Sequence, residues 1–308
     1  MKGRKILVTG GLGFIGSNLV PELRKRGHQV WICDLGHSGE PSYIRCDVSK
    51  YRQVEEMFEE HDFDYVYHLA AEYGRWNGED YYENLWLTNV VGTKNMIRLQ
   101  EKKKFRMIFF SSAEVYGDYR GEIREEIMDT VPIKQMNDYA MTKWVGEMQV
   151  LNSAAMFGTE TVRVRLVNAY GPHEHYSPYR GVIPVLIYKT LKNLPYTVYM
   201  NHKRIFDYVE DTCQTLANIV DNFKAGEVYN IGGKKDWETG IKQVSDLILE
   251  YLEKDDSKVE YKEAEPFTTR VKKIDFSKAI KDLKHDPRTP LEKGIPKTVE
   301  WMRSVYSL

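Results

Sequence analysis

The sequence predicts an α/β fold with a doubly wound parallel sheet and a smaller C-terminal α/β lobe. Short, near-continuously apolar segments alternate with segments of helical apolar spacing from residue 5 to about residue 170. The first apolar segment runs directly into a glycine cluster, "TGGLGFIG". The alternation then changes rhythm after "YGP" at 170–172. Strands covered by helices on both faces need apolar side chains on both, and such strands alternate with the helices that cover them.

Each element has a local reason. "KILVTG" is short, β-branched and ended by glycine, so it reads as a buried strand. "FIGSNLVPELRKRG" reads as a helix stopped at Gly27. "QVWICD" is a second strand, "VEEMFEEH" a helix and "DYVYHLAA" a third strand. "TNVVGTKNMIRLQEK" places its apolar residues at helical spacing. "FRMIFFSSAEVYG" reads as a strand, "NDYAMTKWVGEMQVLNSAAMFG" as a long helix and "TETVRVRLVNAYGP" as another strand. Beyond it, "PYRGVIPVLIYKTL", "YVEDTCQTLANIVDNF" and "KQVSDLILEYLEK" look helical, with "YTVYM" and "EVYNIGG" as short strands between them. No Gly-, Ser- or Pro-rich linker separates the parts. The expected organisation is a nucleotide-binding core over 1–170, to which later segments return, and a mainly substrate-binding lobe over 171–308.

The 308 residues are 42% hydrophobic, enough for a sizeable core. With 44 basic and 45 acidic residues the formal net charge is -1, so no single-sign field is available to hold nucleic acid or an anionic membrane. The three cysteines, Cys33, Cys46 and Cys213, form no close pair and suit a reducing compartment. No run of about 18 apolar residues exists, and the apolar run in "MKGRKILVTGG" is too short for a signal peptide. The expectation is a cytoplasmic protein with neither nucleic-acid nor membrane partners.

Gly10, Gly13 and Gly16 form GxxGxxG between a strand and a helix. In that context the glycines allow a tight turn, close approach of a pyrophosphate and close helix–strand packing, and the helix N-terminus offers free N–H groups to the anion. The second strand ends in Asp34, 18 residues past Gly16. A carboxylate there accepts from a ribose 2′,3′-hydroxyl pair and repels a 2′-phosphate, which selects NAD over NADP. This makes the core Rossmann-type. The expected cofactor-facing set is Gly10, Gly13, Phe14, Ile15, Gly16, Asp34, Asp47, Val48, Leu69, Ala70, Ala71, Asn89 and Ser111, with Tyr139 and Lys143. Asp47 has an equally ordinary alternative as an acid at a helix start.

"DYAMTKW" sets Tyr139 and Lys143 four apart on one helix face. An ammonium beside a phenol lowers the phenol's pKa from about 10 and readies it to accept a hydroxyl proton. Ser112 ends the preceding strand, 27 residues earlier.

GxxGxxG, Asp34, a serine at a strand end and YxxxK together resemble the extended short-chain dehydrogenase/reductase family. "RLVNAYGP", "KRIFDYVEDT", "YNIGG" and "DPRTPLEKGIPKTVEWM" are similar to its nucleotide-sugar epimerase and dehydratase branch, in order along essentially the whole chain. The resemblance implies that Ser112, Tyr139 and Lys143 oxidise a sugar carbon, usually C4, with tightly held NAD. It implies that Asn168, Arg204 and Arg270 lie near a nucleotide diphosphate. It further implies a homodimer through helix pairs, for which "MTKWVGEMQVL" is the candidate face. Glu72 and Tyr73, which open the aromatic stretch "YGRWNGEDYYENLW" after "HLAA", are expected above the sugar.

"SSAEVYG" decides which reaction follows. Epimerases of the branch typically have a small residue where this chain has Glu114. Its dehydratases and decarboxylases carry glutamate. The resemblance therefore implies that Glu114 is a general base on the keto-sugar; the structural alternative is a carboxylate paired with a lysine or arginine. The dehydratases' general acid is replaced by Ala113, so either Glu114 does both jobs or no water is lost. The sequence leans to C5 chemistry, dehydration before decarboxylation, with plain C4 epimerisation close behind. A non-catalytic dinucleotide sensor is disfavoured because Ser112, Tyr139 and Lys143 are all kept. His173 and His175 flank Glu174 without a metal-site pattern, so no metal is expected. "EKKKF" at 101–105 suits a solvated helix end.

Overall fold

A computed structural model describes residues 3–307. Its centre is one seven-stranded sheet of β1 (Lys5–Thr9), β2 (Gln29–Asp34), β3 (Tyr43–Arg45), β4 (Tyr65–His68), β5 (Arg106–Ser112), β6 (Thr161–Leu166) and β7 (Val228–Ile231). The order across the sheet is β7-β6-β5-β4-β1-β2-β3, and every pairing is parallel. The strand order reverses between β1 and β4, the place where a doubly wound sheet opens a crevice at its carboxyl ends.

Alternation along β1 explains the layers. Ile6 and Val8 face one core with Leu19 and Leu23 of α1 (Phe14–Lys25). Leu7 faces the other, with Val54 and Phe58 of α2 (Tyr51–Glu60) and Met96 of α3 (Thr93–Lys103). Helix α1 ends as its sequence suggests, with Gly27 at φ +82°. The long helix α4 (Asp138–Phe157) starts at Asn137, whose side chain accepts from the Ala140 amide at 2.8 Å.

Two departures from the sequence reading shape the site. β5 stops at Ser112 rather than running through "AEVYG", because the Ser112 hydroxyl accepts from the Glu114 amide and starts a short 3₁₀ turn over Ala113–Tyr116. β6 is not apolar on both faces: Arg163 and Arg165 are buried against Glu147 of α4, at 3.0 and 2.8 Å. One carboxylate holds both guanidiniums, and the Gly226 and Glu125 carbonyls accept from further N–H groups, so the strand is tolerated in the sheet.

The C-terminal part packs helices 182–191, 241–251 and 291–306 around Ile187, Val244, Ile248, Ile295 and Val299. Beside them, Tyr196–Tyr199 pairs with Val259–Lys262 in a separate two-stranded sheet. No described helix is long and apolar enough to cross a membrane.

Candidate active site

One cavity of about 630 Å³ runs from the carboxyl ends of β1, β2 and β4 to the C-terminal helices. Its two ends are built differently.

At the first end the main chain dominates. Gly10 has φ +67°, and a Cβ there would meet the Ala70 amide nitrogen at 2.9 Å. A Cβ on Gly16 would lie 2.4 Å from the Gly10 carbonyl. A Cβ on Gly13 would meet only the Gly10 oxygen, at 3.2 Å, and would otherwise fill the cavity. Helix α1 has no side-chain cap, so its first amides remain open to an anion. Asp34 braces this loop, accepting from the Leu12 amide at 2.9 Å and the Leu35 amide at 2.7 Å. Each carboxylate oxygen keeps a second lone pair for a ribose hydroxyl. Phe14, Ile15, Val48, Leu69, Ala70 and Ala71 complete the wall. Asp47 lines it too while accepting from the Ser49 amide at 2.9 Å, so its carboxylate also fixes the turn before α2. This glycine cradle, uncapped helix and strand-end carboxylate fit NAD.

One expectation is corrected here. Asn89 does not line the cavity: its amide is spent on the Glu72 backbone, at 2.8 and 3.0 Å, and on Thr142. It positions the Glu72 loop against α4. Ser111 lines the cavity, and its hydroxyl donates to Glu147. The Lys143 ammonium donates to the Phe110 carbonyl at 2.9 Å and lies 5.9 Å from the Tyr139 ring centroid, while burial moves the Tyr139 phenol above its ordinary value. Burial likewise brings Lys143 down to about 8.

Ser112, Tyr139 and Lys143 do meet on the cavity wall. The Tyr73 ring packs edge-on to Tyr139 at 5.4 Å, and its hydroxyl is pushed up to about 12 by burial. Glu72 lines the wall beside it, bonded to Asn77 at 3.2 Å.

At the second end side chains from distant segments meet. Glu114 pairs with Lys272 at 3.0 Å, and Lys272 also donates to the Ala113 carbonyl. Lys272, Arg75 and Arg204 together overcome the burial of Glu114 and hold its carboxyl at about 2. Arg75 pairs with Glu265 at 2.8 Å. Arg204 lines the cavity and donates to the Thr269 and Arg270 carbonyls, both at 2.9 Å. The Asn168 amide donates to the Ile205 carbonyl at 2.9 Å, which leaves its side-chain oxygen for a ligand in the cavity. The Arg180 guanidinium lies over the Tyr73 ring, 5.7 Å from its centroid, with no ion-pair partner among the described residues.

Two further expectations change. Arg270 is outside the cavity: its side chain is exposed, and only its carbonyl serves the site, through Arg204. Glu114 stands as a carboxylate held by Lys272, with Arg75 and Arg204 adding to its charge balance. The pairing alternative is the one the geometry realises. Sequence reading missed Lys272, Arg75, Arg180 and Glu174. Only Arg75 lay in a stretch singled out as site-forming. His173 and His175, which flank Glu174, pack on Trp301 at 5.5 and 5.1 Å.

Comparison with known proteins agrees with this geometry. A sequence model of the NAD dependent epimerase/dehydratase family matches residues 6–232. The chain is 31% identical to a UDP-N-acetyl-alpha-D-glucosaminuronate decarboxylase of Bacillus cytotoxicus, over 98% of each chain. It is 29% identical to a dTDP-glucose 4,6-dehydratase of Salmonella typhimurium, over 96% of this chain and 92% of that one. The solved structure of epimerase Mth375 from Methanothermobacter thermautotrophicus superposes with a TM-score of 0.89 at 25% identity, over 99% of this chain and 94% of the other. With the cofactor cradle and the Ser112–Tyr139–Lys143 wall in place, the chain belongs to the NAD-dependent epimerase/dehydratase family and is an NAD-dependent enzyme.

Proposed function

We propose that the protein decarboxylates the sugar acid of a nucleotide diphosphate, after oxidising the sugar at C4. The observation that carries this is the charge at the second end of the cavity. Arg75, Arg180, Arg204 and Lys272 gather there against the carboxylates of Glu114 and Glu265. Such an excess of positive charge suits a diphosphate together with a sugar carboxylate.

The chemistry follows from what each group is free to do. NAD, when bound, supplies the acceptor that makes the C4 carbinol a ketone and a positive charge that favours the Tyr139 phenolate. Tyr139 takes the C4 hydroxyl proton, and Ser112 holds the oxygen. The ketone is then β to the C6 carboxylate, so the C5–C6 bond breaks with its electron pair delocalising onto O4. Tyr139, now a phenol, and Ser112 stand as donors to that oxygen. No base is needed at C5 and no acid at a C6 hydroxyl. That matches a Glu114 tied to Lys272 and an Ala113 with nothing to donate. Water loss, the first choice on sequence grounds, requires both. The likeness to a glucosaminuronate decarboxylase supports the same reading.

Plain C4 epimerisation of such a sugar acid is the second reading. Ala113 and the paired Glu114 favour it equally, since it asks nothing of either. Mass spectrometry of purified protein with UDP-, dTDP-, GDP- and CDP-linked sugar acids and neutral sugars separates the cases. Loss of one carbon dioxide from an acid is expected. Loss of water from a neutral sugar overturns the proposal, and an unchanged mass with a changed sugar NMR spectrum makes it an epimerase.

We also propose a homodimer. Met141, Met148 and Leu151 of α4 and Leu87 and Val91 leading into α3 are 37–44% exposed on adjoining helices. Light scattering should give twice the chain mass, and Met148→Lys should return it to one. The three buried free cysteines suit a cytoplasmic setting.

A further inference from the structure

We infer that Glu174 is the proton donor that completes the decarboxylation, delivering its carboxyl proton to C5 of the sugar. This rests on the decarboxylase reading above. That reaction leaves an enolate with carbanion character at C5, and a stereodefined product requires a proton placed on one face.

The loop geometry sends Glu174 into the cavity. His173 takes a left-handed conformation at φ +70°, and the rings on either side of Glu174 are held on Trp301. Glu174 itself is 3% exposed and lines the same cavity as Ser112 and Tyr139. A Cβ built on Gly181 would be 3.4 Å from Glu174 Oε1 and 3.8 Å from the Tyr73 hydroxyl. Tyr73 in turn packs on Tyr139. One continuous wall therefore joins Glu174 to the C4 oxidation site. The other carboxylate oxygen, Oε2, is buried and has no hydrogen-bond partner. A buried polar atom left without a partner is rare and calls for a functional reason.

The protonation state fits the role. Burial pushes the Glu174 carboxyl up to about 8, against the opposing pull of Arg180 and the Gly181 amide. At neutral pH it carries its proton, while Glu114 does not. Two carboxyls driven apart by their surroundings divide the work of donor and charge partner. Tyr139 and Ser112 are already assigned to the C4 hydroxyl. Glu174 is left as the protonated carboxyl on the wall.

The balance closes. The C5–C6 bond breaks, carbon dioxide leaves, and the electron pair forms the C4–C5 enolate. The Glu174 O–H bond then breaks, its proton forms the C5–H bond, and the C4 carbonyl is restored. No oxidant or reductant is consumed in this step, and water later reprotonates Glu174.

The test compares the whole enzyme with Glu174→Gln and Glu174→Asp, using a turned-over sugar acid in D₂O. Wild type should place one deuterium at C5 on a single face, read by NMR of the product. In a single turnover Glu174→Gln should still release its one carbon dioxide per site, while product forms about 10²–10⁴-fold more slowly, the range of a lost general acid. Its C5 label should be scrambled between faces, and Glu174→Asp should recover part of the rate and the selectivity. A Gln variant with wild-type rate and one-face label overturns the donor role alone. If wild type releases no carbon dioxide from any sugar acid, the decarboxylase reading falls and takes the donor role with it.

Discussion

The two ends of the cavity are made of different materials. The NAD end is main chain: glycines at 10, 13 and 16, the open amides of α1, and one carboxylate at the end of β2. The sugar end is side chain: Glu114 from the turn after β5, Arg75 from the start of the helix Arg75–Asp80, Arg180 from a loop, and Arg204 and Lys272 from the C-terminal half. A backbone-built site tolerates little change in shape but presents few charges. A side-chain-built site is set by which charges meet, and its chemistry changes with any one of them. That difference accounts for a family that keeps one cofactor while running several reactions.

The largest effect should come where the two ends touch. Tyr139→Phe keeps the ring packing against Tyr73 and removes the phenol. Turnover should fall about 10²–10⁴-fold with NAD affinity little changed, by steady-state kinetics and cofactor titration. Equal loss of cofactor binding would mean that the phenol belongs to the NAD end instead.

Breaking the sugar end alone comes next. Lys272→Met leaves the half-buried Glu114 without its hydrogen-bonded partner, which should cost about 1–3 kcal/mol in chemical denaturation. A following Glu114→Gln change should restore much of it. The pair also sets a pH response. The folded Glu114 value of about 2 lies below the ordinary value near 4.3. Its stabilisation is thus present above about pH 4.3 and lost as pH falls through about 2. In Lys272→Met the folded value rises toward the ordinary one, so the stability lost between about pH 4.3 and pH 2 should shrink. An unchanged acid transition would place Lys272 outside the pair.

An effect no larger is expected at the NAD end. Asp34→Ala removes a charged acceptor worth about 1.5–3 kcal/mol, so the NAD dissociation constant should rise about 10- to 10²-fold. Calorimetry that finds no change would show that the glycine cradle binds without help.

The same contrast governs what could be read in the sequence. The sheet, its strands and helices and the glycine cradle were legible because each depends on residues close together in the chain. Gly10, Asp34 and Ala70 declare themselves by position after a strand. Asn89 and Arg270 were misread because a residue type matched a familiar place while its side chain was engaged elsewhere or turned out to solvent. The buried Arg163–Glu147–Arg165 group was hidden in a strand that reads as half apolar. Lys272 and Glu174 carried no local signal. Lys272 is one of two adjacent lysines, and Glu174 sits between histidines that suggest a surface loop. Their meaning comes from contacts across more than a hundred residues, as with Lys272 and Glu114.

The central claim is that the sugar end handles a C6 carboxylate, and a carbon label tests it most directly. A nucleotide-linked sugar acid carrying ¹³C at C6 is followed by NMR during turnover. The account predicts that the label leaves as carbon dioxide and bicarbonate while a labelled sugar acid is consumed. Label retained at C6 in a sugar of inverted C4 would contradict it.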